Sequence, residues 1–279
     1  MNSEMETLRQ QTLAASFTLA GVGIHTGEAG RIRVHPAAVN SGRVFRIGET
    51  LIPAKVEKVV DTTRCTTLAH DSVTISTVEH ILSALAGLNI DNATIEVEGR
   101  EIPILDGSSL PFVEAILSVG IHTQDEPARF ITLQNIASFT NGNSEMSASP
   151  NETYRIEART DFDDWQEGDV ILAVEMSQQE YVARIAPART FAFRKEVEML
   201  LATGLAKGGS LDNALIIDPP DTFSTPLRVP SEWCAHKILD IVGDLALLDA
   251  RPLMAVSCRR PGHRMNYGLA KEILQSCKK

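Results

Sequence analysis

Apolar and polar residues alternate along short stretches of the chain, a pattern typical of strands that bury one face. GRIRVHP (30–36) and NATIEVEG (92–99) both follow it. Between them, STVEHILSALAGLNID (76–91) repeats its large apolar residues at helical spacing, and Gly87 is a plausible stop. The first part of the chain therefore predicts strands with a helix between them.

A second helix is predicted in SSLPFVEAILSVGI (108–121). Ser109 is placed as its cap, Pro111 lies in the first turn, and Gly120 follows the end. The next stretch, HTQDEPAR (122–129), is polar and predicts a linker.

The same alternation of strand and helix patterns resumes after residue 129. The predicted segments are the strands RFITLQNIASFT (129–140) and TYRIEARTDF (153–162), the helix RKEVEMLLATGLA (194–206), the strand NALIID (213–218), the helix HKILDIVGDL (236–245) and the strand LMAVSC (253–258). We therefore predict an α+β protein with one layered domain in residues 1–124 and another in residues 125–279.

Composition narrows the class of protein. A length of 279 residues suits about two domains, and a net charge of −10 argues against a general nucleic-acid binder. The sequence shows neither a signal-peptide pattern nor an apolar run near the roughly 18 residues of a membrane span. Its four cysteines lack CxxC spacing. We expect reduced thiols and a cytoplasmic protein without an integral membrane segment.

The helix 236–245 carries ionisable residues on one edge of an otherwise apolar pattern. His236, Asp240 and Asp244 recur every four residues, so they share one helical face. Imidazole nitrogen and carboxylate oxygen suit Zn²⁺, although a simple hydrogen bond along the helix explains the same spacing. Lys237 could reach over the rim of a cleft or lie in solvent.

STVEH (76–80) has two interpretations. Ser76 and Glu79 have the spacing of a capping box, which would make His80 incidental. Alternatively, His80 is a third metal ligand and Glu79 a base that deprotonates water. The zinc-peptidase pattern HExxH is absent, and the inverted form would need histidine where Ser76 stands.

Two further stretches could carry chemistry. Four arginines and no acid lie between Arg251 and Arg264, which favours an anionic partner such as a phosphate or else an ordinary basic loop. Within this stretch, His263 follows Pro-Gly and could stabilise an oxyanion or protonate a leaving amine. ARTFAF (188–193) offers the Thr190 hydroxyl, although its spacing equally suits a strand with a core face.

Taken in order, these pieces resemble the zinc-dependent UDP-3-O-acyl-N-acetylglucosamine deacetylases of lipid A synthesis in Gram-negative bacteria. The resemblance runs from about Gln11 to Leu269. It rests on the segments GVGIHTG, DTTRCTTL, ISTVEHILSALAGLNIDNATIEV, EIPILDGSSLPFV, ARTFAF, GLAKGGSLDNALI, HKILDIVGDLAL and GH. It implies two similar two-layer α/β sandwich domains with the active-site cleft between them, and an insert that forms an apolar passage for the acyl chain.

The resemblance also implies a role for each candidate residue. It implies that zinc is held by His80, His236 and Asp240; by ligand chemistry alone, Fe²⁺ is a possible substitute. The implied catalytic residues are Glu79 as base, His263 as acid, Asp244 as its support, and Thr190 and Lys237 at the oxyanion. The implied substrate-binding residues are Phe191, Phe162, Arg260 and Cys65.

The hypothesis that follows is removal of the N-acetyl group from a UDP-linked, 3-O-acylated N-acetylglucosamine by a monomer. One rival is a zinc amidohydrolase that acts on another nucleotide sugar. A second rival is a non-catalytic sugar-nucleotide-binding protein with a structural zinc. A structural zinc normally has four protein ligands, and Cys65 is the nearest candidate for the fourth.

Overall fold

The computed structural model describes residues 8–163 and 165–277. Within them, the helices are α1 (Glu79–Gly87), α2 (Leu110–Val119), α3 (Gln178–Glu180), α4 (Arg194–Ala202), α5 (Glu232–Leu245) and α6 (His263–Ser276). The strands are β1 (Arg9–Leu13), β2 (Phe17–Val22), β3 (Ala29–Pro36), β4 (Arg43–Ile47), β5 (Thr50–Pro53), β6 (Val59–Asp61), β7 (Thr67–His70), β8 (Val73–Ile75), β9 (Ala93–Glu98), β10 (Ile121–Pro127), β11 (Phe130–Thr132), β12 (Ala137–Asn141), β13 (Ser144–Pro150), β14 (Arg155–Phe162), β15 (Trp165–Glu175), β16 (Phe191–Phe193), β17 (Leu215–Asp218), β18 (Thr222–Phe223) and β19 (Arg251–Arg259).

Two sheets with the same connectivity form the frame. The first has the order β2-β3-β9-β4-β5, and the second has the order β12-β13-β19-β14-β15. In each, the strand latest in the chain lies centrally, antiparallel to one neighbour and parallel to the other. The mixed α and β architecture confirms the predicted α+β class, and the repeated strand order shows that the halves are built alike.

Alternating burial explains why these segments form sheets. In β3, Ile32 and Val34 are fully buried, whereas Arg31 and Arg33, which alternate with them, are exposed. This pattern puts one face of the strand in the core and the other in solvent. The predicted strands at 30–36, 92–99, 153–162, 213–218 and 253–258 are all present.

The two halves meet through α1 and α5, which pack against each other. α5 also packs against β14 and β15, and nearly all of its residues are buried. A helix hydrophobic on most sides belongs in the middle of a molecule. Each half also contains a small three-stranded sheet that precedes its helix at this contact. The sheet β6-β7-β8 precedes α1, and the sheet β16-β17-β18 precedes α5.

The predicted linker at 122–129 is wrong over most of its length. β10 ends at Pro127 and pairs antiparallel with β1 near the start of the chain. Its polar composition reflects exposure, because most of its side chains face solvent. The predicted strand 129–140 is likewise split into β11 and β12, which lie in different positions of the second sheet.

We propose the division at residues 124 and 125 as the boundary between the two sandwich domains, supported by the position of the two sheets on either side of it. Residue 124 itself lies within β10. Among the described residues, none of the helices combines the length and apolar character needed to cross a membrane.

Candidate active site

The first turn of α1 lies directly against α5, and this contact brings the candidate ligands together. A Cβ added to Gly243 would stand 2.1 Å from the carbonyl oxygen of Glu79. No side chain fits at that distance, so glycine permits the helices to approach. The hydroxyl of Ser109 donates to the carbonyl oxygen of His80 at 2.8 Å and holds the same turn from the other side.

His80, His236 and Asp240 form a compact group of potential metal ligands. One ligand atom from each lies within 4.8 Å of the others, and all three residues are buried. Nδ1 of His236 lies 3.0 Å from the carbonyl oxygen of Ala188. If Nδ1 donates there, Nε2 keeps its lone pair and faces Asp240 Oδ1 at 3.4 Å.

The residues of this group suit a bound cation. Within the described chain, Nδ1 of His80 and Oδ1 of Asp240 are buried and have no hydrogen-bond partner. Unsatisfied buried polar atoms are costly and require an explanation. Burial, together with neighbouring His236, lowers the pKa of His80 to about 3, so its ring is neutral and able to coordinate a metal.

Asp240 is ionised despite its burial. Burial alone would raise its pKa, but the ammonium group of Lys237 and the neighbouring histidines hold that pKa well below the ordinary value. Two neutral imidazoles and one carboxylate are the ligand types that zinc prefers at catalytic sites.

Glu79, His263 and Asp244 form a second buried group beside the ligands. Nδ1 of His263 lies 2.9 Å from Oδ2 of Asp244, and Nε2 lies 3.9 Å from Oε1 of Glu79. Burial would lower the pKa of His263, but Asp244, Glu79 and Asp240 raise it to about 10. Burial raises the pKa of Glu79 to about 7, against the opposing effect of His263. Perturbed acid and base groups in one place are typical of catalytic sites.

The two groups open into a single cavity of about 920 Å³. It is lined by nine of the twelve candidate residues: Glu79, His80, Thr190, Phe191, His236, Lys237, Asp240, Arg260 and His263. Its other end is apolar, because residues 194–218 contribute Val197, Leu200, Leu201 and Leu211 to the wall. We call this segment the arm. The cavity therefore joins a polar end with titratable groups to an apolar end.

Lys237, Thr190 and Phe191 stand at the mouth of the polar end. The Lys237 ammonium lies 3.0 Å from Oδ2 of Asp240 and 5.3 Å from the centre of the Phe191 ring. Thr190 precedes β16, and its backbone amide donates to the carbonyl oxygen of Gly107 at 2.7 Å. This bond ties the second half of the chain to the first directly beside the ligands.

A neighbouring pocket of about 420 Å³ is lined by Phe162, Lys237 and Arg260. The Phe162 ring lies 5.0 Å from Phe193 and 5.6 Å from Trp165. Cationic side chains beside aromatic rings are what a phosphate and a base would contact, although Arg260 here is paired with Asp161 and Asp163. Because Lys237 and Arg260 line both spaces, this pocket adjoins the polar end of the main cavity.

Cys65, like Asp244, is a candidate residue that lines neither of these two spaces. It is 5% exposed, and its sulfur is 3.9 Å from the hydroxyl of Thr67. Burial and the nearby Glu79 carboxylate raise the pKa of its thiol to about 12. Among the described residues, the metal-ligand group comprises three members, and Cys65 is not one of them.

Of the two interpretations of Ser76 and Glu79, the capping box is wrong. α1 begins at Glu79, and the residue before it, Val78, caps the helix without a side-chain hydrogen bond. The Ser76 hydroxyl donates to the carbonyl oxygen of Arg100, whereas the Glu79 carboxylate accepts from the backbone of Thr66 at 3.0 Å. The Glu79 side chain is thereby turned toward the cavity.

Several residues that hold the site were not predicted from the sequence. Thr66 donates its hydroxyl to Asp244 at 2.5 Å, and Asn266 donates to the same carboxylate at 2.8 Å. Arg189 and Glu232 form a buried ion pair, which fixes the residue before Thr190 to the start of α5. These polar residues are buried, and their hydrogen-bond partners lie far away in the sequence. The partners can therefore be identified only from the folded structure.

Comparison with known proteins shows which family the chain belongs to. The family model for UDP-3-O-acyl N-acetylglycosamine deacetylase matches residues 10–275. The chain is 40% identical over 275 residues to the UDP-3-O-acyl-N-acetylglucosamine deacetylase of Saccharophagus degradans, covering 96% of this chain and 91% of that protein. It is 38% identical over 268 residues to the enzyme of the same name from Anaeromyxobacter sp. strain Fw109-5, with 95% and 88% covered. For the Legionella pneumophila strain Corby enzyme, the identity is 39% over 274 residues, with 96% and 90% covered. A match of this length and identity shows that the chain belongs to the UDP-3-O-acyl N-acetylglycosamine deacetylase family.

Proposed function

We propose that the chain hydrolyses the acetamide of UDP-3-O-acyl-N-acetylglucosamine, releasing acetate and leaving a free 2-amine. The observation that carries this proposal is a single cavity that combines a three-ligand cluster, an adjacent buried carboxylate and an apolar end. Membership of the deacetylase family supports the same reaction. The step belongs to the biosynthesis of lipid A.

His80, His236 and Asp240 would hold the metal, and we propose Zn²⁺ because two imidazoles and a carboxylate match its catalytic ligand sets. Fe²⁺ accepts the same ligand types and is the alternative. When bound, such an ion polarises a carbonyl group and makes water more acidic. Three protein ligands leave a coordination position for these roles.

The side chains around the cluster divide the proton transfers between them. We assign Glu79 as the base that takes a proton from water as the oxygen attacks the acetyl carbon. His263, whose Nδ1 lies 2.9 Å from Asp244, would give a proton to the amine nitrogen as the C–N bond breaks. Thr190 and Lys237 would donate to the developing oxyanion, and such preorganised donors are commonly a large part of catalysis.

The remaining surfaces would bind the two ends of the substrate separately. We assign the pocket beside Phe162 and Arg260 to the uridine diphosphate, supported by its aromatic rings and cationic groups. Phe191 would lie beside the sugar, and the arm would cover the acyl chain. Cys65, which the resemblance implies in substrate binding, stays a prediction because it does not line either space.

The test is acetate release from UDP-N-acetylglucosamine with and without the 3-O-acyl chain. We expect release from the acylated compound, loss of activity after chelation, and recovery when Zn²⁺ is returned. Equal turnover of both compounds would favour an amidohydrolase of another nucleotide sugar. Bound zinc without turnover of either would favour a sugar-nucleotide-binding protein.

The cytoplasmic location and the monomeric state belong to the same proposal. All four cysteines are free thiols, which suits a reducing compartment. The monomeric state stays a prediction that sedimentation of the purified protein would test.

A further inference from the structure

Glu101 is a buried carboxylate of the first half with an unusually complete set of partners. It is 3% exposed and accepts from the backbone amides of His25 and Thr26, both at 2.9 Å. It also accepts from the hydroxyls of Thr26 at 2.7 Å and Thr77 at 2.9 Å. A carboxylate has about four acceptor sites. Glu101 therefore uses all of its acceptor sites. Three of the four hydrogen bonds come from the loop 23–27.

The loop 23–27 in turn holds the arm. The backbone amide of Gly208 donates to the carbonyl oxygen of Ile24 at 3.0 Å, and that of Lys207 donates to the carbonyl oxygen of His25 at 3.3 Å. These bonds cross from the first half of the chain to the second. They attach the arm at the turn after α4, close to its apolar face.

The contacts from Glu101 to the arm leave no free space. A Cβ added to Gly23 would stand 2.2 Å from Oε2 of Glu101. A Cβ added to Gly208 would stand 2.2 Å from the carbonyl oxygen of Gly23. Since the backbone of the loop lies against the backbone of the arm, the loop cannot move toward the arm without displacing it.

The same carboxylate also reaches the metal-ligand helix. Thr77 has a φ of 59°, which is rare for a β-branched residue, and it lies two residues before Glu79. Its hydroxyl bond to Glu101 fixes this turn. Ile24 and Leu211 line the cavity from the loop and the arm, whereas Glu101 is not among the lining residues.

We propose that Glu101 is a positioning residue, which fixes the arm relative to the polar end of the cavity and so determines how strongly the enzyme prefers a 3-O-acylated substrate. This inference rests on the proposed function. Glu101 acts through the loop 23–27, and the arm makes the contact with the acyl chain. A small displacement of such a support commonly weakens a site without unfolding the protein.

The test compares Glu101→Gln with wild type in the ratio of kcat/KM for acylated over unacylated UDP-N-acetylglucosamine. The amide turns one acceptor oxygen into an NH₂ group that faces donors. We expect the ratio to fall about tenfold, mainly through KM of the acylated substrate, with metal content unchanged. A loss of folded enzyme would lower both values equally and leave the ratio intact. Glu98→Gln is the matched control, because Glu98 is an exposed carboxylate paired with Arg31.

Gly208→Ala tests the contact from the side of the arm and keeps the carboxylate. It should lower the same ratio, and Glu101→Gln should speed hydrogen exchange of the Lys207 and Gly208 amides. If Glu101→Gln does not fold, the same ratio is measured for Thr26→Val, which removes one of the four hydrogen bonds to Glu101. A wild-type ratio and unchanged exchange in the folded variants would overturn the positioning role. A wild-type enzyme without preference for the acylated compound would instead overturn the proposed function.

Discussion

Glu232 and Asp240 are two buried carboxylates on the same helix, α5. They differ in whether the protein supplies hydrogen bonds to both carboxylate oxygens. Glu232 accepts from the backbone and guanidinium of Arg189 and from the backbone of Arg228, all within 3.0 Å. Asp240 has Lys237 on one oxygen, and its other oxygen has no hydrogen-bond partner within the described chain. A buried acid with every partner present stabilises the fold, whereas one that lacks a partner is available to a ligand.

Both carboxylates have a pKa below the ordinary value, but the groups that lower it differ. Burial would raise the pKa of Glu232, but the hydrogen bonds from Arg189 and Arg228 lower it. Its charge is thereby compensated by the protein alone. Asp240 is compensated in part by Lys237, which is partly exposed. We expect substitutions at the two positions to affect different measurements.

The largest effect is expected for Asp240→Ala. The variant should lose most bound metal and all measurable turnover, because a ligand is removed. Without metal, its stability should change by about 1 kcal/mol or less, since the partner Lys237 is partly exposed. Elemental analysis and urea unfolding after chelation measure both. Asp125→Ala, at an exposed position on β10, is the control, and full metal content in Asp240→Ala would disprove the ligand assignment.

Glu79→Ala should separate chemistry from metal binding. Under the proposed function, its carboxylate is the base and not a metal ligand, so kcat should fall by about 10²–10⁴ while metal content stays at the wild-type level. Single-turnover assays with parallel metal analysis measure this. Glu114→Ala, an exposed glutamate on α2, provides the comparison. Loss of metal together with activity would mean that Glu79 helps to hold the ion.

Glu232→Ala should destabilise the protein by about 3–5 kcal/mol, because it leaves the buried guanidinium of Arg189 unpaired. Urea unfolding of the metal-free protein measures the effect. Replacing both partners, as in Arg189→Met with Glu232→Leu, should recover most of the loss. Because the pKa of Glu232 is depressed, the stability it contributes is present above the ordinary glutamate pKa of about 4.3 and is lost as pH falls below it. Equal stability of Glu232→Ala and wild type would remove the contrast with Asp240.

The smallest effect is expected for Cys65→Ala. Cys65 is buried but does not line either space, so KM should remain within about twofold of wild type. Substrate titration under steady-state conditions measures this. A KM change as large as that of Phe162→Ala would show that Cys65 does contribute to substrate binding.

The sequence predicted the helices and strands that have a regular apolar period. It failed where exposure removed that period, as at β10, which is polar because its side chains face solvent and which pairs with β1. It also failed at Ser76 and Glu79, where local spacing suggested a capping box. There, partners distant in the chain, Arg100 and Thr66, determined the hydrogen bonds instead.

The candidate site was predicted through the resemblance to the deacetylases, because residue types and spacing alone left simpler interpretations open. His80, His236 and Asp240 lie together as a ligand set would, and their roles stay predictions. The supporting roles of Thr66, Glu101 and Glu232 were not predicted, because residues that hold others in place show no characteristic spacing or composition in the sequence. Their function depends on which backbone groups the fold brings within hydrogen-bond distance.

The bond between Thr66 and the Asp244–His263 pair has a consequence for synthesis of the protein. Thr66 and His263 are 197 residues apart in the chain. At a translation rate of about 5–20 residues per second, roughly 10–40 s pass between their synthesis on the ribosome. During this interval, Glu79 and His80 have been made, but the side chains of α5 and α6 that they face have not. The candidate catalytic groups therefore lack part of their surroundings until synthesis has passed His263.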